Sequence, residues 1–323
     1  MIVIVFTGGT ISMRHDDALG GAVPALSGRD ILAAARGVEA VADVEVDDDF
    51  GTFPGPHMSP VRMWNLRKRV LGHLDRDDVE GVVITHGTDT LEESAYLLAR
   101  SSVAEKPIVF TGAMRAASDL GWDGPANLIA AVRTAASAQA CGQGVLVVMG
   151  DRIFAGADVT KSHTHMLDAF ESPGLGPLGV VDDGRVVFRR ETPATRTVVL
   201  AEQLAEPVDI VYTWTGADSR LLDASRRDGR GLVVAAMGRG NVPPDMVPGI
   251  ERWIDEQKPV VIASRAQRGR VGHTYGYPGG GRRLLAAGAI FAGSRRPQQA
   301  RIDLMLGLGA GLDAAGLREL FDG

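Results

Sequence analysis

"VVITHGTDTLEESAYLL", residues 82–98, runs from a strand into a helix through a polar joint. Val82–Thr85 is a short β-branched run that reads as a buried strand, and a helix is expected from about Leu91. Between them stand His86, Gly87, Thr88, Asp89 and Thr90, whose hydroxyls and carboxylate folding itself does not need. A strand followed closely by a helix is half of a βαβ unit, the building block of a mainly parallel sheet.

The alternation extends outward in both directions. "IVIVF" (2–6) and "VADVEV" (41–46) precede this stretch, and "PIVFTG" (107–112) and "GVLVVMG" (144–150) follow it, each reading as a core strand. In "SGRDILAAARG" (27–37), Ser27 can cap a helix, Asp30 sits three residues on, and Gly37 is a natural stop. Ser59 and Pro60 open a second helix, and another starts near Asp123 and Pro125. In "GVVDDGRVVFRR" (179–190), Asp-Gly between two Val-rich runs predicts a hairpin. The polar stretch "RRETPATRTVVLAEQLAEPV" (189–208) then breaks the pattern, which resumes in "VDIVYTW" (208–214), "GLVVAAMG" (231–238) and "KPVVIASR" (258–265). The expectation is an α/β protein of two domains. A larger N-terminal domain (1–190) has a mainly parallel sheet with flanking helices, a linker covers 191–207, and a smaller α/β domain covers 208–323.

Composition narrows the function classes. Of 323 residues, 45% are hydrophobic and 23% charged, the profile of a globular protein with a sizeable core. A net charge of −6 without clustered Lys or Arg argues against nucleic acid and anionic membranes as partners. One cysteine, Cys141, excludes an internal disulfide and a Cys-rich zinc site. "MIVIVF" (1–6) lacks a basic leader and reads as a first core strand, no apolar run is long enough for a bilayer, and a cytoplasmic setting is the default.

Several strands end in small or hydroxyl residues: Thr7-Gly8-Gly9-Thr10, Thr85-His86-Gly87-Thr88-Asp89 and Thr111-Gly112-Ala113-Met114. In an open parallel sheet the carboxyl ends of the strands share one edge, where ligands bind at a switch in strand order. The three turns could line one pocket for a small polar substrate. Each piece has a plainer reading alone. "TGGT" (7–10) suits a tight turn or a phosphate cradle, although it is neither G-x-G-x-x-G nor a P-loop. Thr88 and Asp89 could cap the following helix, and Lys161 in "ADVTKSHTH" (157–165) could be a solvated surface lysine. His163 and His165 form an i, i+2 pair without a third ligand, so nothing here calls for a metal or other cofactor.

"IVFTGGTIS" (4–12) and "GVVITHGTDT" (81–90) resemble the two signature segments of the bacterial-type L-asparaginases and asparaginase/glutaminases. The resemblance continues through "KPIVFTGAMR" (106–115), "DGPANL" (123–128), "GVLVVMGDRIFAGADVTKSHT" (144–164), "GPLG" (176–179), "GRGNVP" (238–243) and "RRPQQAR" (295–301). It implies a two-domain α/β amidohydrolase that assembles as a homotetramer of intimate dimers, with the active site bounded by a neighbouring subunit. By that resemblance Thr10 is the nucleophile and Thr88, Asp89 and Lys161 form a hydrogen-bonded catalytic set. Gly9 and Gly87 lie beside the backbone donors of an oxyanion site, the Ala113 carbonyl meets the leaving nitrogen, and Asp89 also binds the substrate amine. The reaction implied is hydrolysis of the L-asparagine side-chain amide through a β-aspartyl ester, without a metal.

Three places depart from the family pattern. The lid segment "RHDDALGGAVPALSG" (14–28) has no tyrosine, Val23 standing near its expected place, while Asp16, Asp17, Gly20 and Gly21 suggest a flexible flap. Gly55 and Pro56 replace a carboxylate-binding serine and its polar neighbour, leaving backbone amides and the new His57 to receive the substrate. "HTYGYPGGG" (273–281) offers Tyr275 and Tyr277 where a neighbouring subunit usually supplies a glutamate, whereas the cross-subunit asparagine is kept as Asn241. Two alternatives stay open: an amidase supplying ammonia to a partner or acting on another amide, and an amino-acid-binding protein that has lost turnover. The first would call for an N-terminal module or partner-binding extension, whereas the sequence starts at the first core strand. Joint survival of four costly polar groups weighs against the second.

Overall fold

The first strand, β1 (Ile2–Phe6), sends Ile2, Ile4 and Phe6 into one apolar cluster and Val3 and Val5 into another. A strand at the centre of a parallel sheet is covered on both faces, so a continuous β-branched run suits it better than apolar–polar alternation. In this computed structural model, which describes residues 1–192 and 198–322, the chain divides into the units Met1–Val198 and Val199–Gly323.

In the first unit β4 (Val44–Asp47), β1, β5 (Gly81–Thr85), β6 (Ile108–Thr111) and β7 (Val145–Met149) lie parallel in that order. The antiparallel strands β8 (Arg152–Ala155), β11 (Gly179–Asp182) and β12 (Arg185–Phe188) extend the sheet beyond β7. Outside it, β2 (Met13–Asp16) pairs with β3 (Gly21–Pro24), and β9 (Thr160–Lys161) with β10 (Phe170–Glu171). Helices α1 (Gly28–Ala34) and α4 (Gly124–Ala135) cover the face of Ile2 and Ile4, and α2 (Pro60–Leu74) and α3 (Leu91–Ser101) cover the other. Each fully buried Val, Leu or Ile on these faces contributes roughly 1.5–3 kcal/mol.

Strand order places the site. From β1 the chain steps one way to β4, then crosses back to β5 and continues to β6 and β7. The reversal puts the tips of β1 and β5 side by side at a topological switch point. Three crossovers share one hand, whereas α4 joins β6 to β7 over the opposite face and has the other hand. That exception sets α4 against β6, where its first turn reaches the loop after Thr111.

The local signals read from the sequence have structural counterparts. Ser27 and Asp30 form a reciprocal capping box at α1, and the Ser59 hydroxyl accepts from Arg62 N–H at α2. Asp183 and Gly184 both take positive φ (47° and 71°), as a two-residue hairpin turn requires. The expected linker, 191–207, contains the unit boundary, and its residues 193–197 lie outside the described residues. Its ends are not free tether: Thr192 bonds Gln143 in the first unit, and Ala205 N–H donates to Met305 in the second.

The second unit is a parallel sheet of β13 (Val208–Tyr212), β14 (Gly231–Ala236), β15 (Val260–Ser264) and β16 (Ile290–Phe291), in that order. Its helices are α5 (Arg220–Arg226), α6 (Val247–Asp255), α7 (Gly281–Ala287), α8 (Pro297–Gly309) and α9 (Ala314–Asp322). Trp253 is fully buried, and its indole N–H donates to Leu222 O at 2.9 Å. Among the described residues no helix is long and apolar enough to cross a membrane.

Candidate active site

Three glycines let three loops meet backbone to backbone. Gly8, at φ +95°, pairs with Phe53, so the turn after β1 zips onto the 51–58 loop through Gly9 N–H to Phe53 O and Phe53 N–H to Thr7 O. A Cβ on Gly9 would stand 2.4 Å from Gly87 Cα, and one on Gly87 would stand 2.4 Å from Gly55 Cα. No side chain fits in either place, because backbone cannot give way as a flexible side chain can. Thr10 thus starts its short 3-10 turn beside the tip of β5, and the Thr90 hydroxyl fastens the 51–58 loop by donating to Gly55 O at 2.8 Å.

Beneath this junction His86 is fully buried. Its Nδ1 faces Gly87 O at 2.9 Å and its Nε2 faces the Ser94 hydroxyl at 2.8 Å. A carbonyl only accepts, so Nδ1 carries the proton and Nε2 accepts from Ser94. Burial pushes the His86 pKa down to about 4 against the opposing bond to Gly87 O, and the ring supports the loop as a neutral group.

Above it, Lys161 Nζ donates to Thr88 Oγ1 at 2.9 Å and to Asp89 Oδ1 at 2.6 Å. The lysine side chain is only 15% exposed, whereas that of Asp89 is 57% exposed and so reachable by a solute. The solvated-lysine reading therefore fails: Lys161 turns inward. The capping reading of Thr88 and Asp89 fails as well, since α3 has Thr90 at its N-cap and no side-chain cap. Among the described residues, the backbone N–H groups of Thr10, Gly55, Gly87, Thr88 and Asp89 have no protein acceptor. Gly55, Gly87 and Thr88 are buried residues, and a buried donor is costly to leave unmade, so such a group of N–H donors at one sheet edge suits negatively charged oxygen.

The third tip is held from α4. Asp123 accepts from Met114 and Arg115 N–H, and Asn127 donates to Gly112 O and Asp123 while accepting from Gly150 N–H. These bonds fix the loop that carries Ala113, itself fully buried. A Cβ on Gly112 would stand 2.6 Å from His86 O and 3.4 Å from Thr88 Cγ2, so this loop too packs against the Thr88 turn. No role in holding this loop was read from the sequence for Asp123 or Asn127. An acid and an amide four apart at a helix start were the available signal.

The remaining candidates fare differently. Gly55 is buried in the turn Gly55–His57, while Pro56 and His57 are exposed. Pro56 has no N–H to offer an anion. The bonds of His57 run through its backbone: its N–H donates to Pro54 O and its carbonyl accepts from Arg62. The expected flap is a paired β2–β3 hairpin, tied to the following loops by Ala117 N–H to Met13 O and His15 N–H to Ser118 Oγ. Asn241, Tyr275 and Tyr277 belong to the second unit. Asn241 Oδ1 accepts from Gly281 N–H, and the two exposed tyrosine rings tilt together at 5.6 Å. In the His163/His165 pair, His163 Nδ1 accepts from the N–H groups of His165 and Met166, which organises the turn.

Comparison with known proteins covers nearly the whole chain. The family "Asparaginase, N-terminal" matches residues 1–194, and "Glutaminase/Asparaginase C-terminal domain" matches 207–321. A protein of Deinococcus radiodurans named "Probable L-asparaginase" is 37% identical, with 99% of this chain and 96% of that protein covered. The "L-asparaginase" of Bacillus licheniformis is 33% identical over 94% of each. A solved structure, "Probable Cytoplasmic L-asparaginase from Campylobacter jejuni", has a TM-score of 0.88 at 30% identity and covers 99% of this chain and 98% of its own.

Proposed function

Because the chain belongs to the glutaminase/asparaginase family, we propose that it is an L-asparaginase, hydrolysing the side-chain amide of L-asparagine to L-aspartate and ammonia. The observation that carries this reading is the Lys161–Thr88–Asp89 set lying beside backbone donors that have no protein acceptor.

Thr10 Oγ attacks the amide carbon and gives its proton to a water, or to Tyr275 or Tyr277 of a second copy, which passes it to the leaving nitrogen as the tetrahedral oxyanion collapses. The N–H groups of Thr10 and Thr88 hold that oxygen; one such donor is worth about 3 kcal/mol in comparable sites. Thr88 oxygen already accepts from Lys161, so its own hydroxyl proton is free to be passed on. Ammonia leaves with the transferred proton past the Ala113 carbonyl, and water attacks the β-aspartyl ester to release aspartate and restore Thr10. Asp89, half exposed, takes the substrate α-ammonium while Lys161 balances its charge. The Gly55 N–H, with those of Gly87 and Asp89 packed beside it, receives the α-carboxylate, with Pro56 and His57 shaping the rim.

The departures bear on specificity and assembly. Without a cross-subunit glutamate, free glutamine is a poor substrate. The enzyme works as a homotetramer in the cytoplasm, with Tyr275 or Tyr277 of a second copy, or a water, taking the place of the lid tyrosine. Ammonia release from L-Asn, L-Gln and their D-isomers, with wild type and Thr10→Ala, tests the reading. Release from L-Asn, with only weak release from L-Gln, and loss of both in the variant are expected. Unchanged turnover in Thr10→Ala removes Thr10 as nucleophile, and comparable rates on Asn and Gln remove the specificity claim. Full turnover in both Tyr275→Phe and Tyr277→Phe leaves the water.

A further inference from the structure

One carboxylate oxygen ties the two halves of the lysine–aspartate pair to each other from behind. Glu92, in the first turn of α3, accepts through Oε2 from the Thr160 hydroxyl at 2.5 Å and from Lys161 N–H at 2.7 Å. The direction of these bonds follows from strand geometry. In an antiparallel pair, successive residues turn their N–H groups to opposite edges. Ser162 N–H donates to Ala169 O on the β10 side at 2.7 Å, so Lys161 N–H points to the open edge of the two-residue strand β9. There Glu92 stands in for a neighbouring strand. Its own helix begins immediately after Thr88 and Asp89, the residues that Lys161 Nζ reaches.

We propose that Glu92 is a positioning residue for the reaction: it clamps Thr160–Lys161 to the N-terminal turn of α3 and so sets the reach of Lys161 to Thr88 and Asp89. The inference rests on the proposed use of Lys161 in amide hydrolysis. The clamp is short, with acceptor and donors in part-buried positions, and it spans 68 and 69 residues of sequence. Without it β9 keeps its pairing with β10, and the lysine loses the restraint that fixes its base. Displacement of a catalytic group by about 1 Å can cost on the order of 100-fold.

The test is a double-mutant cycle on the full chain with L-Asn, comparing wild type, Glu92→Ala, Lys161→Ala and the double variant. Glu92→Gln and Thr160→Val serve as milder changes. Glu92→Ala is expected to lower kcat by about 30- to 100-fold. Glu92→Gln, whose amide oxygen can still accept both bonds, is expected to regain all but about threefold. In the Lys161→Ala background the loss from Glu92→Ala is expected to vanish, the mark of two groups acting as one. A general structural role would instead lower kcat by the same factor in both backgrounds, and that result overturns the proposal. So does a folded Glu92→Ala enzyme with wild-type kcat. Should that variant not fold, Thr160→Val takes its place in the cycle with the same two outcomes. Crystal structures of wild type and the Glu92 or Thr160 variant read the claim without turnover: Lys161 Nζ is expected to leave hydrogen-bond reach of Asp89. If it stays, the clamp is refuted. If wild type releases no ammonia from L-Asn, the functional reading falls while the structures still decide the clamp.

Discussion

Lys161 Nζ stands 2.6 Å from Asp89 Oδ1, although 72 residues separate them in the chain. The contact converts a strand-end lysine and a loop carboxylate into one unit whose other member is the Thr88 hydroxyl. Lys161→Ala is expected to lower kcat by roughly 10²- to 10³-fold, the range for removal of one preorganised electrostatic group. It should hardly change thermal stability, because a pair with an exposed carboxylate contributes little to folding. Steady-state kinetics beside a melting curve separate the two effects; an active Lys161→Ala enzyme would remove the lysine from the mechanism.

Gly87→Ala is expected to disrupt the site at its base. The added methyl would lie 2.4 Å from Gly55 Cα and 2.6 Å from Gly55 N, with nothing flexible to move aside. Forced overpacking of this kind costs about 1–3 kcal/mol, and here it also separates the loops of Thr10 and Thr88. A lowered melting temperature with lost turnover is the expected result. A variant with wild-type turnover would show that the stacked loops can part without consequence.

Gly55 behaves differently. A Cβ there would meet Asp89 Cβ, Asp89 N and Gly87 C at 3.4 Å, close but within what small shifts absorb, and its φ is not in the left-handed range. Gly55→Ser therefore folds, and its hydroxyl adds a donor beside Asp89 for the substrate carboxylate. KM for L-Asn should fall by about 10- to 100-fold, as one hydrogen bond to a charged group implies. An unchanged or raised KM would place the carboxylate elsewhere.

Acid sensitivity should trace to His86. Its folded pKa is depressed from 6.5 to about 4, so the folded ring stays neutral while the unfolded chain takes up a proton below about pH 6.5. Stability is then expected to fall as pH drops from 6.5 to 4 and to stop falling on this account below 4. At about 1.4 kcal/mol per pH unit, the full effect is about 3 kcal/mol. In His86→Asn, whose amide can still donate to Gly87 O, urea titrations at pH 7 and pH 4.5 should differ much less than in wild type. Equal differences would assign the acid sensitivity to another group. Asp47 adds a separate loss in stronger acid. Burial raises its pKa, but Arg69 and His73 outweigh that and hold it below 3.8, so its contribution disappears as pH falls through that lowered value.

Much was legible from short-range signals. Residues a few positions apart decide a capping box, so Ser27 and Asp30 announced α1, and the turn at Asp183-Gly184 announced the β11–β12 hairpin. The β-branched runs announced strands covered on both faces. The polar joint after Thr85 pointed to the edge where the tips of β1 and β5 meet, and the family resemblance implied roles for Thr10, Thr88, Asp89 and Lys161. The plainer local alternative did not hold: Thr88 and Asp89 have the chemistry of caps and do not cap.

The amino-acid order alone determined which segments become strands and helices and which chemistry stands at the strand tips, because these depend on neighbours within a few residues. Only the tertiary structure decided that β1 sits beside β5, that Gly9, Gly55 and Gly87 touch backbone to backbone, that Asn127 and Asp123 hold the Ala113 loop, and that Glu92 grips the strand of Lys161. Most of those relations join residues tens of positions apart, and their distances are set by strand order and by the packing of helices on two faces, which no local periodicity encodes.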